Sequence, residues 1–454
     1  YITLAVDKGK DIYLSVYASA DNTPIKVVSG NKEYTFNASI GWTKMSQYTA
    51  GAGTMTIYGN VLRFNCSKNG TKITGLDLGH NTDLVNLLCH ENAILTLDVS
   101  KNTQLEYLRC DKNQISTIDL KNCPSLKVLI CGTNTISTLD VSKNNELEWL
   151  MCDDNSIKSL DVSKNPKLTT LVCPSNKITL LNVSDNVELL SLSCPDNALT
   201  TLDVGNNVKL RYLDCYNNQL AKLDLSKNTQ LSTLKCGRNT ISSLDLSKNT
   251  QLSMLYCNDN KLTSLSIDRN ILLKSFGCNN NMLSVLDVSK NTQLKRLYCH
   301  TNNFTTAALD DIYCSLPDRK GQTEGQIQPL FNASSADKSK VLATNGSNAI
   351  AKGWYIQYFE TNTDITGFTG THQCGGGTGI DEAGDLSSLA VYPNPVKDVL
   401  NIASDKPVHS IRIYNVYGTE VAHATDTNSV NVSHLPAGVY MVRADGKVAR
   451  IIKE

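Results

Sequence analysis

Apolar residues recur along most of this chain in one fixed rhythm. The stretch Leu105-Glu-Tyr-Leu108-Arg-Cys110-Asp-Lys-Asn113-Gln-Ile115-Ser-Thr-Ile118-Asp-Leu120 shows it in full. In short form it reads LxxLxCxxNx(L/I)xx(L/I)DVSxNxx, and it returns every 21 residues from about residue 60 to 303. Within LxxLxC the Leu and Cys alternate with variable residues, the period of a short strand with one face inward. The second half, as in Leu97-Asp-Val99, does the same on the opposite side of the turn. Each turn is therefore predicted to offer two strands, and stacking the turns to give two parallel sheets around a shared apolar interior. At a strand spacing of ~4.8 Å, about twelve turns make a rod of roughly 60 Å.

Single residue types line up when the turns are stacked. Cys89, Cys110, Cys131, Cys152, Cys173, Cys194, Cys215, Cys236, Cys257, Cys278 and Cys299 form one column at 21-residue intervals, and Cys66 precedes it by 23. One asparagine column runs from Asn92 through Asn113 to Asn302; a second includes Asn81, Asn102, Asn144 and Asn165 and continues to Asn291. At these points the chain turns inward and leaves backbone groups without a strand partner. A buried amide side chain carries both donors and an acceptor, so it can satisfy them within and between turns. Cys123 fills a slot of the second column, the one cysteine to do so. The pattern resembles the leucine-rich repeats, in the subclass whose 21-residue unit nests two similar halves, LxxLxCxxNx and LxxLDVSxNxx. The resemblance implies a mainly β leucine-rich-repeat solenoid.

The thiols invite a chemical role, but their spacing opposes it. Zinc sites draw on clustered ligands such as C-x₂-C, whereas these cysteines come one per turn on an inward position. Neighbouring thiols of in-register parallel strands point alike rather than at each other. A free cysteine behaves as a small buried hydrophobe, and the column is assigned that role. Cys314 and Cys374 lie outside it and are free to pair with each other.

A stacked solenoid exposes an apolar end at each terminus and needs caps. Residues 1–59 alternate as strands (Ile2 to Val6, Ile12 to Val16, Thr54 to Tyr58) and are predicted to form a β-rich N-terminal cap ahead of the solenoid at 60–303. Residues 304–372 are predicted as a small α/β C-terminal cap. In it a helix from Thr305 to Leu316 would carry Ala308, Leu309, Ile312, Tyr313 and Leu316 on one face. Gly325 to Gln328 would continue a sheet, Ser335 to Ala351 would form a second helix, and Trp354 would plug the end. A Gly-rich linker is expected over 373–387.

From residue 388 to 454 the composition changes to alternating strands separated by Pro, Gly and Asn turns, the pattern of an Ig-like β-sandwich. The ordered motifs are Val391-Tyr-Pro-Asn-Pro-Val-Lys-Asp-Val-Leu400, Ile411-Arg-Ile-Tyr-Asn-Val-Tyr-Gly418, Leu435-Pro-Ala-Gly-Val-Tyr-Met-Val442 and a basic tail from Lys447 to Lys453. They resemble the C-terminal sorting domain of proteins exported by the type IX system of the Bacteroidota. That resemblance implies passage across the outer membrane and a secreted or cell-surface location. The N-terminal Tyr1-Ile-Thr-Leu-Ala-Val lacks the charged and apolar regions of a signal peptide, so either none exists or the segment is already processed.

Composition narrows the function by exclusion. Lys plus Arg equals Asp plus Glu, 43 of each, which leaves no basic stripe for nucleic acid. No apolar run reaches the roughly 20 residues of a membrane span. There is no G-x-S-x-G elbow, H-E-x-x-H or P-loop, and no motif implies a metal or cofactor. His90 and His300 stand ten turns apart, roughly 48 Å, too far to share a site. The chain is read as non-enzymatic and monomeric.

What remains is the contrast between the two flanks. On the LDVS side the outward residues scarcely change: Asp98, Asp119, Asp140, Asp161, Asp203, Asp224, Asp245 and Asp287, with Lys101, Lys143, Lys164, Lys227, Lys248 and Lys290 beside them. Calcium would require Gly-rich, multi-oxygen loops that are missing here, so this is assigned as a solvated structural face. On the LxxLxC side every turn differs. Its outward positions and adjoining loop carry Tyr107, Arg109, Asp111, Trp149, Met151, Asp153, Asp154, Tyr212, Asp214, Tyr216, Lys235, Arg238, Met254, Tyr256, Arg296, Tyr298 and His300. A repeat fixes the inward residues and leaves these free, and Tyr, Trp, Met and Arg are enriched at interface cores. This face is the candidate ligand-binding surface, for a protein or glycan. Secreted bacterial proteins of the resembled family commonly bind such partners, which implies an adhesin. A plain structural spacer, which would need no varied face, is the competing class.

Overall fold

A computed structural model of the chain describes residues 1–374, 391–403, 408–415, 420–444 and 447–454. The chain divides into two units, Tyr1–Gly376 and Gly377–Glu454.

In the first unit each repeat contributes one three-residue strand, beginning with Asn86–Leu88 and ending with Arg296–Tyr298. We number the turns from these strands, 1 to 11. All pair in parallel without slippage, so Tyr107 faces Val128, Val128 faces Trp149 and Trp149 faces Thr170. The central Leu of each strand and the Cys that follows it are buried. The sheet is longer than the repeats: Ser46–Thr49, Asp11–Ala18 and Val61–Asn65 extend it at one end, Gly325–Leu330 and Trp354–Tyr358 at the other, giving 16 strands. One apolar core runs unbroken from Ile2 to Ile365.

The second parallel sheet predicted on the LDVS side does not form. Only Leu76, Leu97 and Ile118 are bridged there. The carbonyls such a ladder would use are already engaged in local turns and side-chain bonds. Val141 O, for example, accepts the Asn144 N–H at 3.0 Å and the Asn165 amide at 3.0 Å. The half-repeat still buries its Leu and Val, but as an extended flank joined between turns by single bonds, such as the Gln114 N–H to Ile94 O at 3.0 Å, rather than by a ladder.

At the N-terminal end Ile2–Val6, Thr23–Ser29, Lys32–Ala38, Thr54–Tyr58 and Ile73–Asp77 make a separate five-stranded sheet. It covers the first turn with Ile2, Leu4, Ile25 and Ile57, all at most 1% exposed. At the other end the helix Thr306–Ser315 is capped by Thr305, whose hydroxyl accepts the Ala308 N–H at 3.2 Å. Ala308, Leu309, Ile312, Tyr313 and Leu316 are buried as the helical spacing predicts. The single helix expected from Ser335 to Ala351 is instead two short ones, Lys338–Leu342 and Ser347–Ile350. The break falls at Thr344-Asn345-Gly346: Val341 O accepts both the N–H and the hydroxyl of Thr344, and the Asn345 N–H, which would continue the helix to Val341 O, goes to Asp310 instead. Trp354 is buried, lies over Gly325 and donates its indole N–H to Pro317 O at 2.8 Å. Cys314 and Cys374 form a disulfide. Beyond Cys374, the linker expected over 373–387 lies outside the described residues.

The second unit has a three-stranded sheet (Val391–Tyr392, Val399–Ile402, Ser429–Asn431) and a four-stranded one (Glu420–Thr427, Val408–Tyr414, Gly438–Ala444, Lys447–Lys453). Leu400, Ile411, Ile413, Val432, Val442 and Ile451 from both sheets share its core.

Candidate functional site

The outward face of the parallel sheet is held rigid from below. Every thiol of the cysteine column is buried, and burial pushes each above its ordinary range, Cys173, Cys257 and Cys299 to about 12. No thiolate is available at neutral pH, which fits core packing rather than reactivity. Beside it the first asparagine column ties adjacent turns together. Asn134 donates to Cys110 O at 3.1 Å and Cys131 O at 3.0 Å, while its carbonyl oxygen accepts the Ile115 N–H at 2.9 Å. The same set recurs at Asn155, Asn176, Asn197 and onward. To bring each Asn inward, the residue before it adopts the left-handed conformation: Glu91, Lys112, Thr133, Asp154, Arg238 and their equivalents all have φ between 46° and 57°. Eleven non-glycine residues tolerate this because the asparagine bonds over-determine the turn.

The second asparagine column is buried more deeply and bonded less completely. Asn165 donates to Val141 O and Asn144 O, but its own carbonyl oxygen finds no donor, and the same holds for eight others of the column. Cys123 substitutes a thiol that points at Val99 O and Asn102 O, each 3.7 Å away.

Above this frame the strand positions flanking the buried Leu point outward as predicted. Trp149 is the most prominent, 46% exposed, with Met151 half-buried beside it and Val128, Ile130 and Val172 in neighbouring turns. Tyr107 and Met254 are half-buried, and Arg296 is exposed. Arg109 bonds Asp111 at 2.8 Å, which holds both against the sheet. Asp153 folds over Gly132, and burial raises its carboxyl above the usual range. Tyr212 donates to Asp214, Lys235 pairs with that carboxylate at 3.4 Å, and its ammonium sits 5.5 Å from the Tyr212 ring. Arg238, exposed, covers the Tyr216 ring at 5.7 Å. Three of the predicted face residues are not available to a ligand. Asp111 is buried beneath Arg109, Asp214 is enclosed by Tyr212, Tyr216 and Lys235, and His300 is 2% exposed.

His300 is covered by a cluster that the repeat pattern does not contain. Phe331 and Phe359, both about 40% exposed, stand 5.5 and 4.9 Å from its ring. Tyr298 meets Phe359 edge-on, and Tyr256 stacks against Tyr298 at 6.3 Å across Gly277. A side chain at 277 would collide with Tyr256, so glycine lets the two rings close over the strand between them. Burial among these rings lowers the His300 pKa to about 4. Phe331 and Phe359 come from the C-terminal cap, where no period marks them.

The flank opposite is uniform in chemistry as well as in sequence. Asp98, Asp140, Asp161, Asp224 and Asp245 each accept the N–H two residues on, at 2.8–2.9 Å. Those bonds hold the carboxyls below their ordinary range, although the side chains are exposed. Each aspartate caps its own turn. Among the described residues no three His, Cys, Asp or Glu side chains gather where they could hold a metal ion.

Residues 390–454 match the family of secretion system C-terminal sorting domains. Among solved structures the chain is similar to the functional domain of InlJ from Listeria monocytogenes, which includes a cysteine ladder. The likeness is 27% identity over 87% of this chain and 86% of that one, with a TM-score of 0.53. InlF, an internalin from the same organism, matches in fold at 21% identity over 59% of this chain and 80% of that one, TM-score 0.53. No curated protein matches. Stacked turns, inward Leu and Cys, and asparagine ladders define a leucine-rich-repeat protein. Its C-terminal unit is a type IX secretion sorting domain, and the protein is therefore secreted or displayed on the outer cell surface. Among the described residues no helix is long and apolar enough to cross a membrane.

Proposed function

We propose that the protein is a non-enzymatic, adhesin-like binding protein, and that the outward face of the parallel sheet receives a protein ligand, with a glycan as the second candidate. The observation that carries this is the difference between the two flanks: aromatic and cationic side chains vary from turn to turn on the sheet, while the aspartate flank repeats. Trp149, Tyr216 with Arg238, and the Tyr256–Tyr298–Phe359 cluster are the anchors, since hot spots concentrate in Trp, Tyr and Arg. Tyr107, Arg109, Met151, Asp153, Tyr212, Lys235, Met254 and Arg296 complete the surface, and Asp214 and His300 support it from beneath. The test is a protein and glycan array probed with the purified chain, repeated after replacing Trp149, Tyr212, Tyr216 and Tyr256 together by Ser. Loss of the captured ligand with an unchanged circular dichroism spectrum is expected. Equal capture by the folded variant would end the assignment of this face and favour a spacer.

A further inference from the structure

Charge on the variable face is divided along the solenoid. Count the strand positions, the residue before each strand and the two residues after each cysteine. Turns 1 to 6 then carry seven acidic side chains against three basic; turns 7 to 11 carry six basic against two acidic. The halves are equal and opposite, with a net of four charges each. Bulk differs at one row in the same sense: Trp149 projects in turn 4, where Thr233 holds the same column in turn 8.

A face of this kind complements itself when a copy is turned end for end. We infer that the partner this face fits is a second copy of the chain, antiparallel, related by a two-fold axis that runs along the strand of turn 6. This rests on reading the face as a binding surface. Such an axis lays each column on its own counterpart, so turn 4 meets turn 8 and turn 2 meets turn 10, the self-complementary geometry of an isologous dimer. Asp154 then faces the second copy's Arg238, and Glu106 faces its Lys274. Trp149 lies over Thr233, large against small. The row on the axis is Leu190, Ser191, Ser193 and Pro195: the exposed Leu190 meets its own copy, apolar against apolar, and the short side chains beside it permit close approach. The one like-charge meeting, Asp196 with its own copy, falls at an exposed rim where Asn217 already bonds the carboxylate at 2.6 Å.

The area suffices. Eleven rows at ~4.8 Å and about seven residues of width give about 1,000 Å² per copy, or about 2,000 Å² in total. Stable specific dimers bury about 1,200–2,000 Å².

The test exploits two exposed positions of the left-handed column, where the protein itself shows what is tolerated. Lys112 and Glu91 occupy that slot in other turns, so Asp154→Lys and Arg238→Glu suit the backbone. Sedimentation equilibrium of the full chain at about 50 µM, a concentration that reports micromolar association, is expected to show a dimer that weakens in high salt. Each single variant should dimerise at least about tenfold more weakly, because it meets like charge at turns 4 and 8. An equimolar mixture of the two should recover association, as heterodimers, because every like-charge contact becomes an opposite one. A wild-type monomer at that concentration, undiminished dimers in the single variants, or a mixture that fails to recover would each overturn the inference. A monomer that still captures an array ligand would sink this inference alone; a dimer whose face variants capture as well as wild type would sink the ligand assignment alone.

Discussion

The two flanks of the solenoid are built from the same 21-residue unit and behave as opposites. On the sheet side the backbone is fully paired between turns, and most outward side chains are not needed to close the turn. On the aspartate side the backbone forms no continuous ladder between turns, and the outward side chains help to close each turn themselves. Variation is therefore tolerated where backbone hydrogen bonds carry the fold, and excluded where side chains do. The monotony of the aspartate flank reflects that duty.

The asparagine columns offer the largest measurable contrast. Asn155→Ala strands the buried Ile136 N–H, whose partner is the Asn155 carbonyl oxygen at 2.9 Å, and should cost about 3 kcal/mol in urea unfolding. Asn165→Ala removes donors from Val141 O and Asn144 O, but these keep the Asn144 and Leu147 N–H groups. It also deletes an acceptor that has no donor, so about 1 kcal/mol is expected. Equal losses would erase the distinction between the sheet side and the aspartate side.

Acid should act next, and on the sheet side first. With its pKa lowered to about 4 by burial, His300 stays neutral in the folded protein while the unfolded chain binds a proton below about 6.5. The unfolded state then holds more protons, so stability falls as pH drops from about 6.5 to 4 and levels off below. The flank aspartates, held low by their turn bonds, withdraw their contribution only below the ordinary carboxylate range of about 3.9. NMR titration of the His300 ring checks the order; a folded-state midpoint near 6.5 would mean that Phe331 and Phe359 do not exclude water.

The smallest effect should come from Asp140→Asn. Asn182 already occupies the equivalent place and accepts the Ser184 N–H at 3.0 Å. Stability at neutral pH should move by less than about 0.5 kcal/mol, whereas Asp140→Leu, which cannot accept, should lose more. If leucine were as good, the aspartate column would not be capping its turns.

Most of this architecture was legible in the period alone, because inward Leu, Cys and Asn leave one way to stack. The second sheet was misread because alternation in Leu97-Asp-Val99 reports which side chains are buried, not whether the backbone finds a neighbour. The break at Asn345-Gly346 depends on Asp310, far away in sequence, taking the Asn345 N–H. On the candidate face the outward columns followed from the repeat. The enclosure of Asp214 and His300 did not, since it is made by rings reaching across turns and from the cap. Phe331 and Phe359 sit outside any repeat, where aromatic residues in a loop carry no sign of what they cover.

The bond between Cys314 and Cys374 also decides how the first unit bears tension. A pull arriving from residue 375 onward passes through the disulfide into the helix Thr306–Ser315, next to the last turn. The chain between the two cysteines, including the strands Gly325–Leu330 and Trp354–Tyr358, is bypassed. Under load, the cap cannot be peeled off strand by strand from its free end. A surface protein tethered through its tail would transmit force to the stacked turns and keep their end covered.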